Sequence, residues 1–258
     1  MPELPDLHVI AQNLDKIYSN KCLLNISLAD KAKINADPKE YNKLLVGKKV
    51  SNISRFGKEI KILFENDHTL FLHLMREGKF FKTDEDVKNI ILKLEFEEDR
   101  ILVMSDFMGQ AKVSLDAEVP DVPDPFSEQF TEKYLKQRLV GKKRTAIKMF
   151  LINQDNILGI GNAYADEILW ETRLSPATKC GDIPDSIVDA LYKNIIAVLE
   201  TAVNKIKEIE PNIISGEIRS FMNVHNKDKK LSPTGYEILT DKVGGKITYF
   251  TEEQVLYK

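Results

Sequence analysis

The chain begins Met1-Pro2-Glu3-Leu4-Pro5-Asp6. Removal of one methionine would leave a proline at the N-terminus, and its secondary amine is a nucleophile. Attack on an aldehyde-like carbon gives an iminium ion, which keeps its positive charge and serves as an electron sink. Glu3 lies beside that amine by covalent connection, in reach for proton transfer. The same residues also read as an ordinary helix start, with Pro5 and Asp6 ahead of Leu7, Ile10, Leu14 and Ile17 at helical spacing. On these residues alone both readings stand.

A second stretch, Leu158-Gly159-Ile160-Gly161-Asn162-Ala163-Tyr164, puts two glycines and an asparagine directly before a helix-forming run. A tight turn into a helix N-terminus presents backbone N–H groups and the positive end of the helix dipole, which suits a phosphate. Asn162 adds a side-chain donor. As an isolated pattern it fits a plain connection between helices equally well. The whole chain carries 37 basic and 40 acidic residues, a net charge of -3. Any face for a polyanion must therefore come from local clusters such as Lys142-Lys143-Arg144 with Lys148, or Lys227 with Lys229-Lys230. Cys22 and Cys180 stand far apart, and His8, His68, His73 and His225 are scattered, so neither a disulfide, a metal site nor another cofactor is indicated.

The elements that must position these residues fall into two kinds. From about 21 to 115 the chain reads mostly as short strands: 23–28, 49–54, 60–64, 70–74, 90–96 and 101–104, several alternating apolar and polar residues. An antiparallel sandwich follows from so many short strands. Val119-Pro120-Asp121-Val122-Pro123-Asp124-Pro125 breaks regular structure. Beyond it apolar residues recur every three or four positions, as in Ile187, Leu191, Ile195, Leu199, Ala202 and Ile206. The last forty residues return to strands around a turn at Gly244-Gly245. The fold class is thus α+β: an N-terminal helix and β-sandwich domain over 1–118, a linker over 119–127, a helical domain over 128–214, and a hairpin region over 215–258. No apolar run approaches the roughly 18 residues of a membrane span, and no secretory signal pattern opens the chain. A monomer in the cytoplasm, with no membrane partner, is the expectation.

Pro2-Glu3-Leu4-Pro5, Ser54-Arg55-Phe56-Gly57-Lys58, Thr145-Ala146-Ile147-Lys148 and Ile160-Gly161-Asn162-Ala163-Tyr164 together resemble the formamidopyrimidine-DNA glycosylase and endonuclease VIII family, over nearly the whole chain. The resemblance implies a helix–two-turn–helix fold and a base-excision-repair enzyme, both glycosylase and abasic-site lyase. It implies Pro2 as nucleophile, Glu3 as acid and base, and Lys58 on the phosphate beside the lesion. Lys148 would take another phosphate, and Gly161 and Asn162 would hold the DNA backbone. The partner would be double-stranded DNA with an oxidised base or abasic site, which for a bacterial protein means association with the nucleoid.

The chain also departs from that family. Four zinc-binding cysteines are replaced by Ser232, Gly235, Thr251 and Gln254, so a zincless finger without metal is expected. Lys246 stands where an arginine grips phosphate. Asp6 replaces a glutamate and would be a second, shorter carboxylate in the pocket. The residue filling the gap left by a flipped base matches Arg76, with Met75 adjacent, and Asp106-Phe107-Met108-Gly109 offers Phe107 or Met108 as a further apolar wedge or as core packing. The short stretch Pro211–Phe221 points towards oxidised pyrimidines or a broad lesion range. A protein of the same fold that binds damaged DNA without cleaving it is the main alternative. RNA binding through the two-turn motif would leave the N-terminus unexplained.

Overall fold

In the computed structural model, which describes residues 1–258, Pro5 and Asp6 sit in the first turn of helix α1 (Leu4–Tyr18), whose Leu7, Ile10 and Leu14 are buried. The chain divides into two compact units. The first comprises Met1–Pro120 with Ile206–Glu217, the second Asp121–Lys205 with Ile218–Lys258.

In the first unit, β1 (Leu23–Leu28), β7 (Ile90–Phe96), β8 (Arg100–Ser105) and β6 (Lys79–Phe81) form one sheet in the order β1-β7-β8-β6. The other sheet has the order β2-β9-β5-β4-β3, from β2 (Lys33–Ile34), β9 (Lys112–Leu115), β5 (Thr69–His73), β4 (Glu59–Phe64) and β3 (Val50–Phe56). All pairings are antiparallel except the two-residue β2–β9 ladder. Helix α1 packs on β3 and β4. The alternation read in 60–64 and 90–96 is the burial pattern seen in β4 and β7, where every second side chain enters the core. The all-strand reading of 21–115 fails at α2 (Pro38–Leu45). There Asp37 caps the helix by accepting from the Lys39 N–H at 2.8 Å, Pro38 fixes the first turn, and Tyr41 and Leu45 are buried one helical turn apart.

Residues 206–217 belong with this unit rather than with the helical segment before them. The Asn13 amide on α1 donates to the carbonyls of Pro211 (2.9 Å) and Ile213 (2.8 Å), and the Phe80 N–H donates to Ser215 Oγ at 2.9 Å. Those bonds fasten the segment to α1 and β6.

The second unit holds α3 (Glu132–Val140), α4 (Ile147–Ile152), α5 (Asn162–Glu171), most of α6 (Asp185–Ile209), and the hairpin of β10 (Leu239–Val243) and β11 (Lys246–Phe250). Val243 pairs with Lys246 across Gly244 and Gly245, whose φ angles of +55° and +79° are those of a two-residue turn that other residues resist. A Cβ on Gly244 would fall 2.4 Å from the Met149 sulfur, so the turn also needs glycine to lie against α4.

Candidate active site and nucleic-acid interface

Glu3 is the N-cap of α1 and only 4% exposed. Its backbone N–H donates to Asp6 Oδ2 at 3.0 Å, and Asp6 itself is fully buried. The expectation of Asp6 as a DNA contact is therefore corrected. Its carboxylate holds the turn that carries Pro2 and Glu3, a first-turn anion at a helix N-terminus. Pro2 lies in a cavity of about 180 Å³, with Arg76, Glu77 and Lys79 on one wall and Gly216 and Glu217 on another. The terminal ammonium of Met1 meets the Glu217 carboxylate at 2.9 Å.

Register gathers the next group. Gly57, at φ +54°, and Lys58 form the two-residue turn between Phe56 and Glu59, which pair across the β3–β4 hairpin. Because Ile60 pairs with Leu72, and His73 with Lys112, the turn lies at the same end of the sheet as the end of β5 and the start of β9. His73 was not singled out from sequence, where it was one scattered histidine. Burial, then Lys112 and Lys58, push its pKa down to about 4, and its Nδ1 accepts the Met75 N–H at 2.9 Å. The ring is thus neutral at ordinary pH, with two lysines beside it. A phosphate fits that field. Period-two alternation combined with the β5–β9 pairing was the signal that could have found it.

From this end of the sheet β5 continues into Met75, half-buried at φ +53°, and Arg76, exposed on the cavity wall. Arg76 rather than Met75 faces the cavity at the gap-filling position. The loop leading into β9 is tied by buried Asp106, which accepts the N–H groups of Met108 (3.0 Å), Gln110 (2.5 Å) and Ala111 (2.7 Å). It leaves Phe107 69% and Met108 43% exposed. Neither is core packing. Two apolar side chains held in water by a rigid loop are what a duplex wedge requires.

In the second unit, Gln154 staples the turn ahead of α5: its Oε1 accepts the Gly159 N–H and its Nε2 donates to Ile160 O. Gly161 is the N-cap of α5 in an extended conformation, and Asn162 opens the helix. The Asn162 amide donates to Ile247 O at 3.0 Å. Lys148 shares that carbonyl, and here the sequence reading is corrected. Lys148 is 0% exposed, paired at 2.7 Å with Asp166, also 0% exposed, and donates to Ile247 O (2.9 Å) and Thr248 Oγ1 (2.8 Å). Asp166 Oδ2 in turn accepts from the Tyr249 N–H and bonds His225 Nδ1. A lysine so enclosed does not meet phosphate; it moors β11. Lys246, one residue before this anchorage, is exposed at the hairpin turn.

The zincless finger has a polar hub in place of metal ligands. Ser232 Oγ bonds Thr234 Oγ1, and Gln254 accepts the Thr251 N–H and donates to Leu174 O. Glu253 Oε2 accepts from Thr234 (2.7 Å), Thr251 (3.1 Å) and Trp170 (3.3 Å), while Arg173 pairs with Oε1. Partial loss of water works against the charged form, yet the Thr234 and Thr251 hydroxyls, with Arg173 and Trp170, hold Glu253 below its ordinary pKa. No three His, Cys, Asp or Glu side chains gather as a metal site. Glu253→Ala is expected to lower the melting temperature by a few degrees, and EDTA to leave it unchanged. A depressed carboxylate contributes fully above its unfolded value of about 4.3, so the hub's share persists from pH 7 to 5 and fades below.

Comparison with known proteins agrees with this geometry. Residues 1–113 match the model of the formamidopyrimidine-DNA glycosylase N-terminal domain, and residues 122–211 that of its H2TH domain. The formamidopyrimidine-DNA glycosylase of Lactobacillus gasseri is 28% identical over the full length of both chains, and that of Bacillus subtilis 28% identical over 97% of each. Among solved structures, Lactococcus lactis Fpg bound non-covalently to DNA with an abasic site has a TM-score of 0.82 at 26% identity, covering 96% of this chain and 97% of that one. MutM in complex with DNA carrying carbocyclic 8-oxo-G reaches 0.85 at 25% identity, covering 97% and 98%. With its N-terminal sandwich and two-turn helical unit both matched, the chain belongs to the formamidopyrimidine-DNA glycosylase family.

Proposed function

We propose that this protein excises oxidised bases from double-stranded DNA and cleaves the resulting abasic site, with Pro2 as nucleophile once Met1 is removed. The observation that carries this is Pro2 in a cavity walled by Arg76 and Lys79, beside a buried Glu3. The relatives' names and their complexes with abasic-site and oxidised-base DNA support it. A damaged nucleotide leaves the stack at a cost of a few kcal/mol, least for lesions that pair poorly. Phe107, Met108 and Arg76 would occupy the space it vacates. The Pro2 nitrogen bonds to C1′ as the bond to the base breaks, and Glu3 protonates the sugar ring oxygen, opening the ring to an iminium. That cation makes the C2′ proton acidic. Its loss expels the 3′ phosphate, and a second elimination expels the 5′ phosphate.

Lys58, with Lys112 and neutral His73, would hold phosphate on the first unit, and Asn162, the start of α5 and Lys246 on the second. Lys246 keeps the charge of an arginine without its two-pronged fork, so the grip at the hairpin is a point contact.

Trapping tests the proposal. Protein verified by mass to lack Met1 is incubated with a duplex containing an abasic site and reduced with borohydride. A covalent adduct is expected, and an uncleaved N-terminal extension removes it. No adduct from the Met-free protein overturns the enzymatic reading and leaves DNA binding alone.

A further inference from the structure

We infer that Glu217 is a second carboxylate of the catalytic centre, one that pairs with the Pro2 ammonium in the resting enzyme and takes its proton as attack begins. This rests on the reading of Pro2 as nucleophile and adds a residue to it. Three observations carry it. The Glu217 carboxylate already holds the N-terminal ammonium, on Met1, at 2.9 Å. Glu217 and Gly216 wall the same cavity as Pro2. Their segment is fixed in place, not a free loop: Asn13 holds the carbonyls of Pro211 and Ile213, Phe80 holds Ser215, and Ile213 is buried.

Loss of Met1 draws the terminal nitrogen back by one residue, at most about 3.6 Å of chain. Glu217, with its side chain 39% exposed, is free to follow by changing rotamer. The charged groups facing the amine are then Glu3 through the chain, Arg76, Glu77 and Lys79 on one wall, and Glu217 opposite. Only Glu217 makes the ion pair seen with the terminal ammonium. When the amine loses its proton, the N–H bond breaks, the electron pair stays on nitrogen to attack C1′, and the proton passes to the carboxylate.

An opposite charge at this range favours the protonated amine, which gives the test its sign. Borohydride trapping on a plain abasic duplex is followed against pH for Met-free wild type, Glu217→Gln and Asp30→Asn, the last removing the same charge from an exposed distant site. The midpoint for adduct formation is expected to fall by about one pH unit in Glu217→Gln. The variant therefore traps faster than wild type near pH 6, by up to about tenfold, and equally fast above about pH 9, where the amine is free in both. Asp30→Asn is expected to leave the midpoint alone. A Glu217→Gln midpoint equal to wild type, or a shift shared by Asp30→Asn, overturns the inference. An unmoved midpoint with altered release of a damaged base also overturns it, by assigning Glu217 to the base. Failure of the wild type to form any adduct instead sinks the reading on which the inference rests.

Discussion

Lys148→Met is expected to destabilise the protein by about 3–5 kcal/mol, because it leaves the Asp166 carboxylate charged, buried and without its cation. The lysine side chain is enclosed along with three partners on two segments: Asp166 on α5, and Ile247 O and Thr248 Oγ1 on β11. Urea unfolding reads the loss directly. The double variant Lys148→Met/Asp166→Leu is expected to be more stable than the single one, since no buried charge remains. It does not return to the wild-type value: the Tyr249 N–H and His225 Nδ1 lose the oxygen they share, and an unmet buried donor costs about 1–3 kcal/mol. A lysine that touched DNA phosphate would behave in the opposite way, with unchanged stability and a dependence of affinity on salt reduced by about one unit of slope. The two outcomes cannot be confused.

The mooring also links the DNA-facing groups of the second unit. Ile247 O receives both the buried Lys148 and Asn162, the first residue of α5, while Lys246 precedes it in the chain. The turn of the hairpin and the start of the helix therefore share one anchor. With zinc replaced by the Glu253 hub and the anchor supplied by an ion pair, hydrogen bonds and charge alone hold the hairpin's geometry. Disturbing the anchor should shift both contacts together rather than one at a time.

What the sequence made legible was local. The Gly57-Lys58 and Gly244-Gly245 turns, the α5 start after Gly161, and the strands at 23–28 and 90–96 depend on neighbours a few residues away. Helix α2 was equally local, announced by Asp37-Pro38 with Tyr41 and Leu45, but it was lost inside a run of strand-like segments. The corrected residues depend on distant partners. Lys148 looked like a member of a basic cluster because its strand partner lies 99 residues on. His73 gains meaning only from pairing with Lys112. The return of 206–217 to the first unit is set by Asn13, some 200 residues earlier. Asp6 was placed correctly beside the catalytic residues and given the wrong task, since only coordinates show its carboxylate turned onto the Glu3 N–H.

Glu3→Gln is expected to separate the two halves of the proposed reaction. Base release needs an acid at the sugar ring oxygen, and glutamine cannot supply the proton, so excision from a duplex with an oxidised base should fall by roughly 10²–10⁴-fold. An existing abasic site has an aldehyde in equilibrium with the closed ring, so the Pro2 amine can attack without that acid, and borohydride trapping should fall far less. The fold should tolerate the change. Asp6 accepts the backbone N–H of residue 3, a bond indifferent to the side chain, and Gln keeps the volume and hydrogen-bonding capacity of a residue that is only 4% exposed. Single-turnover excision and trapping, measured on the same preparation, give the ratio. Equal losses in both would mean that Glu3 acts at a step common to the two substrates, and its assignment to the ring oxygen would have to be abandoned. A stable protein with excision intact would remove Glu3 from the chemistry altogether, leaving Glu217 as the carboxylate nearest the amine.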